Sequence, residues 1–245
     1  MDWERNYDTT GRTIHTVPGR SDELTQVFMQ KVYMWMTFGL FMTAVVSYFT
    51  ATSQSLITFL FVKNGMVPFF VLVVIEFGIV LYLSSKMRSM NINPTTAIAM
   101  FFVYSALNGL TIAPVLMVYT KESVATTFLI TAGMFGGMSI YGAVTKRDLT
   151  ELGSFLRMGL WGLLIAMLVN LFMRNNTMSY AISGMAIIIF TGLVAYDTNK
   201  LRALGSESGL SYDQRDNLAV FGALILYLDF INLFLHLLRF LGKRK

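Results

Sequence analysis

Long apolar blocks alternate with short polar interruptions along most of the chain. Seven mostly apolar windows can be drawn, near 32–52, 67–87, 95–118, 125–145, 155–173, 178–200 and 217–240. Each supplies the roughly 20 residues that a helix needs to cross about 30 Å of hydrocarbon. The pattern predicts an all-α integral membrane protein with seven transmembrane helices. The apolar patch from Ser55 to Val62 is too short to span and reads as an interfacial segment or an extension of the first helix. Most connections are short, so consecutive helices should be antiparallel neighbours. Two regions follow: a polar N-terminal tail over 1–25, which is expected to be mobile, and one seven-helix domain over 26–245. The longest connection, 202–217, carries three acids and two arginines. It reads as a solvated linker, with a regulatory or partner-binding loop as the alternative.

Composition agrees with the blocks. Of 245 residues, 55% are hydrophobic and 13% charged, with a mean hydropathy of +0.58, whereas soluble domains carry about 25% charged residues. The mixed charges of MDWERNYDTTGR, with no apolar core before Val27, do not read as a cleavable signal peptide, so the first span also serves as the anchor. Cysteine is absent, which excludes a disulfide framework, a thiol nucleophile and a thiolate metal site. The 17 methionines read as flexible apolar packing rather than a metal box.

The net charge of +5 and pI near 9.4 do not point to nucleic acid, because the charges sort by loop. Twelve Lys and Arg fall in the tail (Arg5, Arg12, Arg20, Lys31) and alternate connections (Lys86, Arg88; Lys146, Arg147, Arg157; Lys200, Arg202, Arg215), whereas the other connections hold only Lys63, Lys121 and Arg174. The positive-inside rule then places the N-terminus in the cytoplasm. Seven crossings leave Arg239 and the tail GKRK outside, so either the end is external or the last span dips in without crossing.

Ionisable residues in mid-membrane cost about 2.5–3.5 kcal/mol on insertion scales and normally face the bundle interior with a partner. Glu76, Asp197 and Asp229 pass this filter. In the last span Asp229, Asn232, His236 and Arg239 follow spacings of three, four and three, which places them on one helical face that Gly222 extends. Such a stripe faces protein or water, so the last helix should be central. At 1.5 Å per residue Asp197 lies about 10 Å and Asp229 about 18 Å from the same membrane face, a gap that tilt and side-chain reach can close. If they meet, the two acids share a proton and form a titratable latch between helices. The alternative is that each bonds a Ser, Thr or Asn on a neighbour and only glues the bundle. Glu76 has either a packing or a functional role, with Lys86 or Arg88 reachable only by folding back. His236 reads as a local neutral partner rather than a metal ligand, since His15 in the tail is the only other histidine. Gly133, Gly137 and Ser139 predict close packing of the fourth span through small residues. The third span contains Asn108, Gly109 and Pro114, of which Gly and Pro are ordinary in membrane helices.

Four strings, VYSALNGLTIAPVLMVYT (103–120), TAGMFGGMSIYGAVTKRDL (131–149), GLVAYDTNKL (192–201) and LYLDFINLFLHLLRF (226–240), together resemble the Bax-inhibitor-motif family, in particular its bacterial inner-membrane branch. The likeness covers nearly all of 25–245. It implies a seven-helix fold with the last helix surrounded by the other six. It also implies a pH-sensitive calcium leak in which aspartates of the last two helices form a proton-sharing latch; by motif match these are Asp197 and Asp229. Family members carry an acid in the second helix, which Glu76 matches, and Arg88 is offered as its basic partner. Asn232 and His236 are further candidates for lining the pore or supporting the latch.

No cofactor is expected. Calcium would be the transported ion, held weakly and transiently by Asp197 and Asp229, because a tight site needs six to eight oxygens and conduction requires that the ion leave. The alternative function is a membrane stress or quality-control modulator that binds membrane proteases or other membrane proteins without transport. It predicts that the tail or the 202–217 connection matters more than the aspartates. Enzyme readings fit poorly. Tyr196-Asp197 matches the first motif of intramembrane aspartyl proteases, but Leu226-Tyr227-Leu228-Asp229 stands where Gly-x-Gly-Asp is needed. Ser183-Gly184 has Ala181 where a rhomboid-like serine motif needs glycine. A retinal protein needs a lysine in its last helix, and none lies between Asn217 and Arg239. Seven-helix zinc hydrolases need several membrane histidines.

Overall fold

The computed structural model describes residues 20–63, 67–88, 92–207 and 209–245, with backbone alone at 20, 21, 62, 63, 87 and 88. Arg5, Arg12 and His15 lie outside the described residues, as do the side chains of Arg20, Lys63 and Arg88. The elements are α1 (Arg20–Thr52), α2 (Gln54–Ile57), a π-helical turn (Thr58–Lys63), α3 (Val67–Arg88), α4 (Pro94–Val118), α5 (Lys121–Val144), α6 (Thr150–Met173), α7 (Asn176–Gly205) and α8 (Tyr212–Leu241). Seven are long and apolar enough to cross a membrane.

Helix boundaries extend beyond the apolar windows where amphipathic ends pack on the bundle. α1 starts at Arg20 rather than near 32 because its first turns bury Thr25, Phe28, Val32 and Met36 along one face. Phe28 sits where a side chain on Gly205 would be. The patch after the first span is separated from it at Ser53, which caps α2 by accepting from the Leu56 N–H. Pro at N1 and Asn93 at the N-cap start α4, with Asn93 Oδ1 accepting from Thr95 N–H at 2.9 Å. Before α6, Asp148 accepts from Thr150; hydrogen bonds from the Thr150 side chain and N–H hold its carboxyl below its ordinary value.

The 202–217 connection is mostly helix. α7 continues to Gly205 and α8 begins at Tyr212. Ser211 and Gln214 form a reciprocal capping box. Arg215 donates to the carbonyls of Gly205 (2.9 Å) and Glu207 (2.8 Å), holding the short turn closed. The Ser-x-x-Gln spacing is the sequence signal that marks this start.

α8 is the core of the bundle. In its most apolar stretch 72% of positions are buried, against 50% in α7 and 11–33% in the other five spans. It packs against α1, α3, α4, α5 and α7, while Leu156 and Leu163 of α6 share a buried cluster with its Leu233 and Leu237. α4 packs mainly on α1, and α6 mainly on α7.

Of the three small residues expected to pack the fourth span closely, Ser139 does so, buried with Thr198 Oγ1 of α7 3.4 Å from its Oγ, whereas the two glycines do not. A Cβ on Gly133 or Gly137 would meet nothing within 4 Å among the described residues. Those glycines face outward, and the close packing of α5 runs through Gly142, where a Cβ would collide with the Ala195 carbonyl of α7. Gly109 does the same between α4 and α1.

α8 crosses fully. At its far end Thr120 N–H donates to Lys243 O (3.1 Å), Lys245 N–H to Val118 O (2.9 Å) and Lys243 N–H to Ser123 Oγ (3.0 Å). GKRK therefore lies beside the α4–α5 connection, opposite the end where Lys31 of α1 meets Asp216 of α8 at 2.5 Å.

Candidate functional site

The α7–α8 register brings the two aspartates together. Gly222 has no side chain to hold off Leu201 and Val32: a Cβ there would lie 2.9 Å and 3.1 Å from them. From that closest approach Asp197 is one turn along α7 and Asp229 two turns along α8. Their carboxyl groups meet at hydrogen-bonding range. Asp229 is 5% exposed and Asp197 half-buried. Among the described residues no donor reaches Asp229 Oδ2. A carboxyl oxygen left in that state can take a proton or a cation, and a partner carboxyl can supply the first only while protonated.

The Asp197 side of the pair is electrostatically biased. The positive charges of Lys200 and Arg157 act on it. Both cations also converge on the neighbouring Tyr196 ring, at 5.3 Å for Arg157 and 6.0 Å for Lys200. Arg157 Nη1 donates to Tyr196 Oη at 3.1 Å, and Gly153 leaves the ring room against α6. Below the pair, Asn199 donates to Gly142 O at 3.0 Å and Arg202 donates to Ala143 O, which fastens α7 to α5. α7 is thus anchored on two sides of Asp197.

Glu76 occupies a second buried polar site, 9% exposed. Its Oε1 is 3.1 Å from Thr111 Oγ1, and its Oε2 accepts from Asn108 Nδ2 at 3.4 Å. Asn108 Oδ1 in turn accepts from Tyr227 Oη at 3.1 Å, and Tyr227 Oη lies 2.7 Å from Thr43 Oγ1. The chain of contacts runs from α3 through α4 and α8 to α1, so the partners seen for Glu76 among the described side chains lie on α4. Tyr227 was not singled out from sequence; the mid-span Asn108 was the available signal that a partner must exist.

The other residues of the polar stripe are not gathered at the aspartates. Asn232 Nδ2 donates to Leu228 O of its own helix at 2.8 Å. His236 stacks on Phe190 with centroids 6.2 Å apart, and its Nδ1 is 3.4 Å from Ser183 Oγ. Arg239 is exposed. Among the described residues no group of three or more His, Cys, Asp or Glu is assembled.

Comparison with known proteins gives a consistent family. The chain is 42% identical over 237 residues to the inner membrane protein YbhL of Escherichia coli, covering 92% of this chain and 98% of that one. It is 44% identical over 218 residues to an uncharacterized protein of Borreliella burgdorferi (89% and 92% covered). It is 40% identical over 225 residues to the Rickettsia prowazekii protein RP147 (91% and 92% covered). Residues 25–245 match the family model described as inhibitor of apoptosis-promoting Bax1, and with that match this seven-helix chain belongs to the Bax-inhibitor family.

Proposed function

We propose that this protein is a bacterial inner-membrane ion-homeostasis protein, a pH-sensitive calcium leak gated by the Asp197–Asp229 pair. The observation that carries the reading is the meeting of two carboxyls between α7 and the central α8, with Asp229 Oδ2 buried and undonated among the described residues. With one proton between them the acids hold the helices together; without it two like charges in low dielectric repel and α7 moves off α8. Flux therefore rises with pH. Calcium is cargo here: two carboxyls, assisted by carbonyls and water, give a site weak enough for the ion to leave. The unequal Lys and Arg content of alternate connections supports a cytoplasmic N-terminus, and the name of the Escherichia coli relative supports the inner membrane.

The test is calcium entry into dye-loaded proteoliposomes from mildly acidic to mildly alkaline pH, for wild type, Asp197→Asn and Asp229→Asn. Asparagine can hydrogen-bond but cannot ionise, so both substitutions should change flux and flatten its pH response while leaving the protein monodisperse. Absence of flux above empty liposomes, with folded protein, would reduce the pair to bundle glue. That result would favour a modulator that binds a membrane protease or another membrane protein.

A further inference from the structure

A cavity of about 700 Å³ opens between α1, α4, α5 and α8, within the roughly 300–1,000 Å³ typical of small-molecule sites. It exists because α4 and α5, though joined by two residues, diverge. α4 packs on α1, α3 and α8, while α5 packs on α7 and α8. The back wall is Ile112, Leu116, Phe128, Phe230, Ile231 and Phe234. Tyr48, Met117 and Leu129 form part of its lining and are exposed on the apolar belt, so the opening is lateral.

Two properties define what fits. First, the Ser and Thr hydroxyls in the wall are engaged with helix carbonyls: Thr43 lies 2.8 Å from Ser105 O, Ser47 donates to Ala44 O at 3.1 Å, and Thr52 to Tyr48 O and Phe49 O at 3.0 Å. Such a wall has little to offer water or an ion, and apolar cavities stay dry or take up hydrocarbon. Second, the charged residues that line it, Lys121 and Lys245, both belong to the end where the C-terminal segment is pinned to the α4–α5 connection. That pinning also places Lys243 and Arg244 nearby, with Glu122 as the adjacent acid. An apolar slot open to the bilayer and crowned by cations is complementary to a chain with an anionic head.

We propose that this groove holds one acyl chain of an anionic bilayer phospholipid, with its phosphate against Lys121 and Lys245. The lipid wedges the α1–α4 side of the bundle apart from the α5–α7 side. The assignment does not depend on the leak reading.

Native mass spectrometry of the full-length protein, titrated with phosphatidylglycerol or phosphatidylcholine, tests it. Wild type should keep one phosphatidylglycerol after the annular lipids are stripped. Ala125→Phe and Ala51→Phe, each placing a ring in the groove, should lose it, whereas Ile188→Phe on the exposed face of α7 should not. Lys121→Gln combined with Lys245→Gln should lower the preference for phosphatidylglycerol by about 25-fold, since each cation near an anionic headgroup contributes roughly a fivefold preference. A photoreactive acyl phosphatidylglycerol should label Met117, Phe128 or Leu129 in the unmodified protein. The proposal is overturned if phosphatidylcholine is held as strongly, if the groove-filling variants retain the lipid, or if labelling is confined to the α6 face around Trp161. Retention of a free fatty acid, or of a second copy of the chain across the groove, also overturns it.

Discussion

Gly109→Ala should lower stability although alanine is the better helix former. Gly109 lies where α4 crosses α1, and an added Cβ would sit 2.8 Å from both the Thr43 carbonyl oxygen and Val46 Cβ. Ordinary contact begins at 3.4 Å, so the helices must part by about 0.6 Å, and one obstacle is backbone that cannot rotate away. Overpacking of this kind costs about 1–3 kcal/mol, against which helix propensity returns at most about 1 kcal/mol. The same separation disturbs Thr43 where it meets Tyr227. Gly137→Ala is the matched control: its Cβ meets nothing within 4 Å among the described residues, so only the propensity gain of up to about 1 kcal/mol remains. For a chain of 245 residues each kcal/mol moves the melting temperature by about 2–4 °C. Thermal melts in detergent should therefore show Gly109→Ala below wild type and Gly137→Ala at or above it. Gly109→Ala melting at or above wild type would refute the reasoning.

Tyr227→Phe keeps the ring contacts with Phe101 and Tyr104, at 5.7 and 5.8 Å, but removes the hydroxyl between Thr43 and Asn108. The loss should be about 1–3 kcal/mol, as for a buried polar group deprived of its partner; an unchanged melting temperature would show that Tyr227 Oη is dispensable. The Lys31–Asp216 pair is partly solvated, with both side chains 41% exposed. A double-mutant cycle using Lys31→Met and Asp216→Asn should give a coupling below about 1 kcal/mol that shrinks in high salt, and a larger, salt-independent coupling would contradict this.

What could be read before folding followed from the solvent rather than from partners. A helix crossing hydrocarbon must satisfy its own backbone and present apolar side chains along about 20 residues, so the seven spans were legible locally. The helical period put Asp229 on a face that could not be left to lipid, and the cost of a charge there made it, Asp197 and Glu76 visible as candidates. Boundaries were less legible, because 20–31 and 212–216 are helical through packing or capping rather than hydropathy: Phe28 fills the space over Gly205, and Ser211 with Gln214 starts α8.

The sequence by itself determined a membrane bundle of seven helices and the acids that such a bundle must account for. Tertiary structure alone decided which acid has which neighbour. Asp197 meets Asp229 because Gly222 sets the α7–α8 register, Glu76 finds Asn108 and Thr111 on α4, and Asn232 turns to its own helix. Likewise Gly109 and Gly142 became points of close approach while Gly133 and Gly137 remained open. The physical reason is that hydropathy fixes each helix's depth and exposed side one helix at a time. Rotation and register between helices arise from the joint packing of all of them, and no single stretch encodes that.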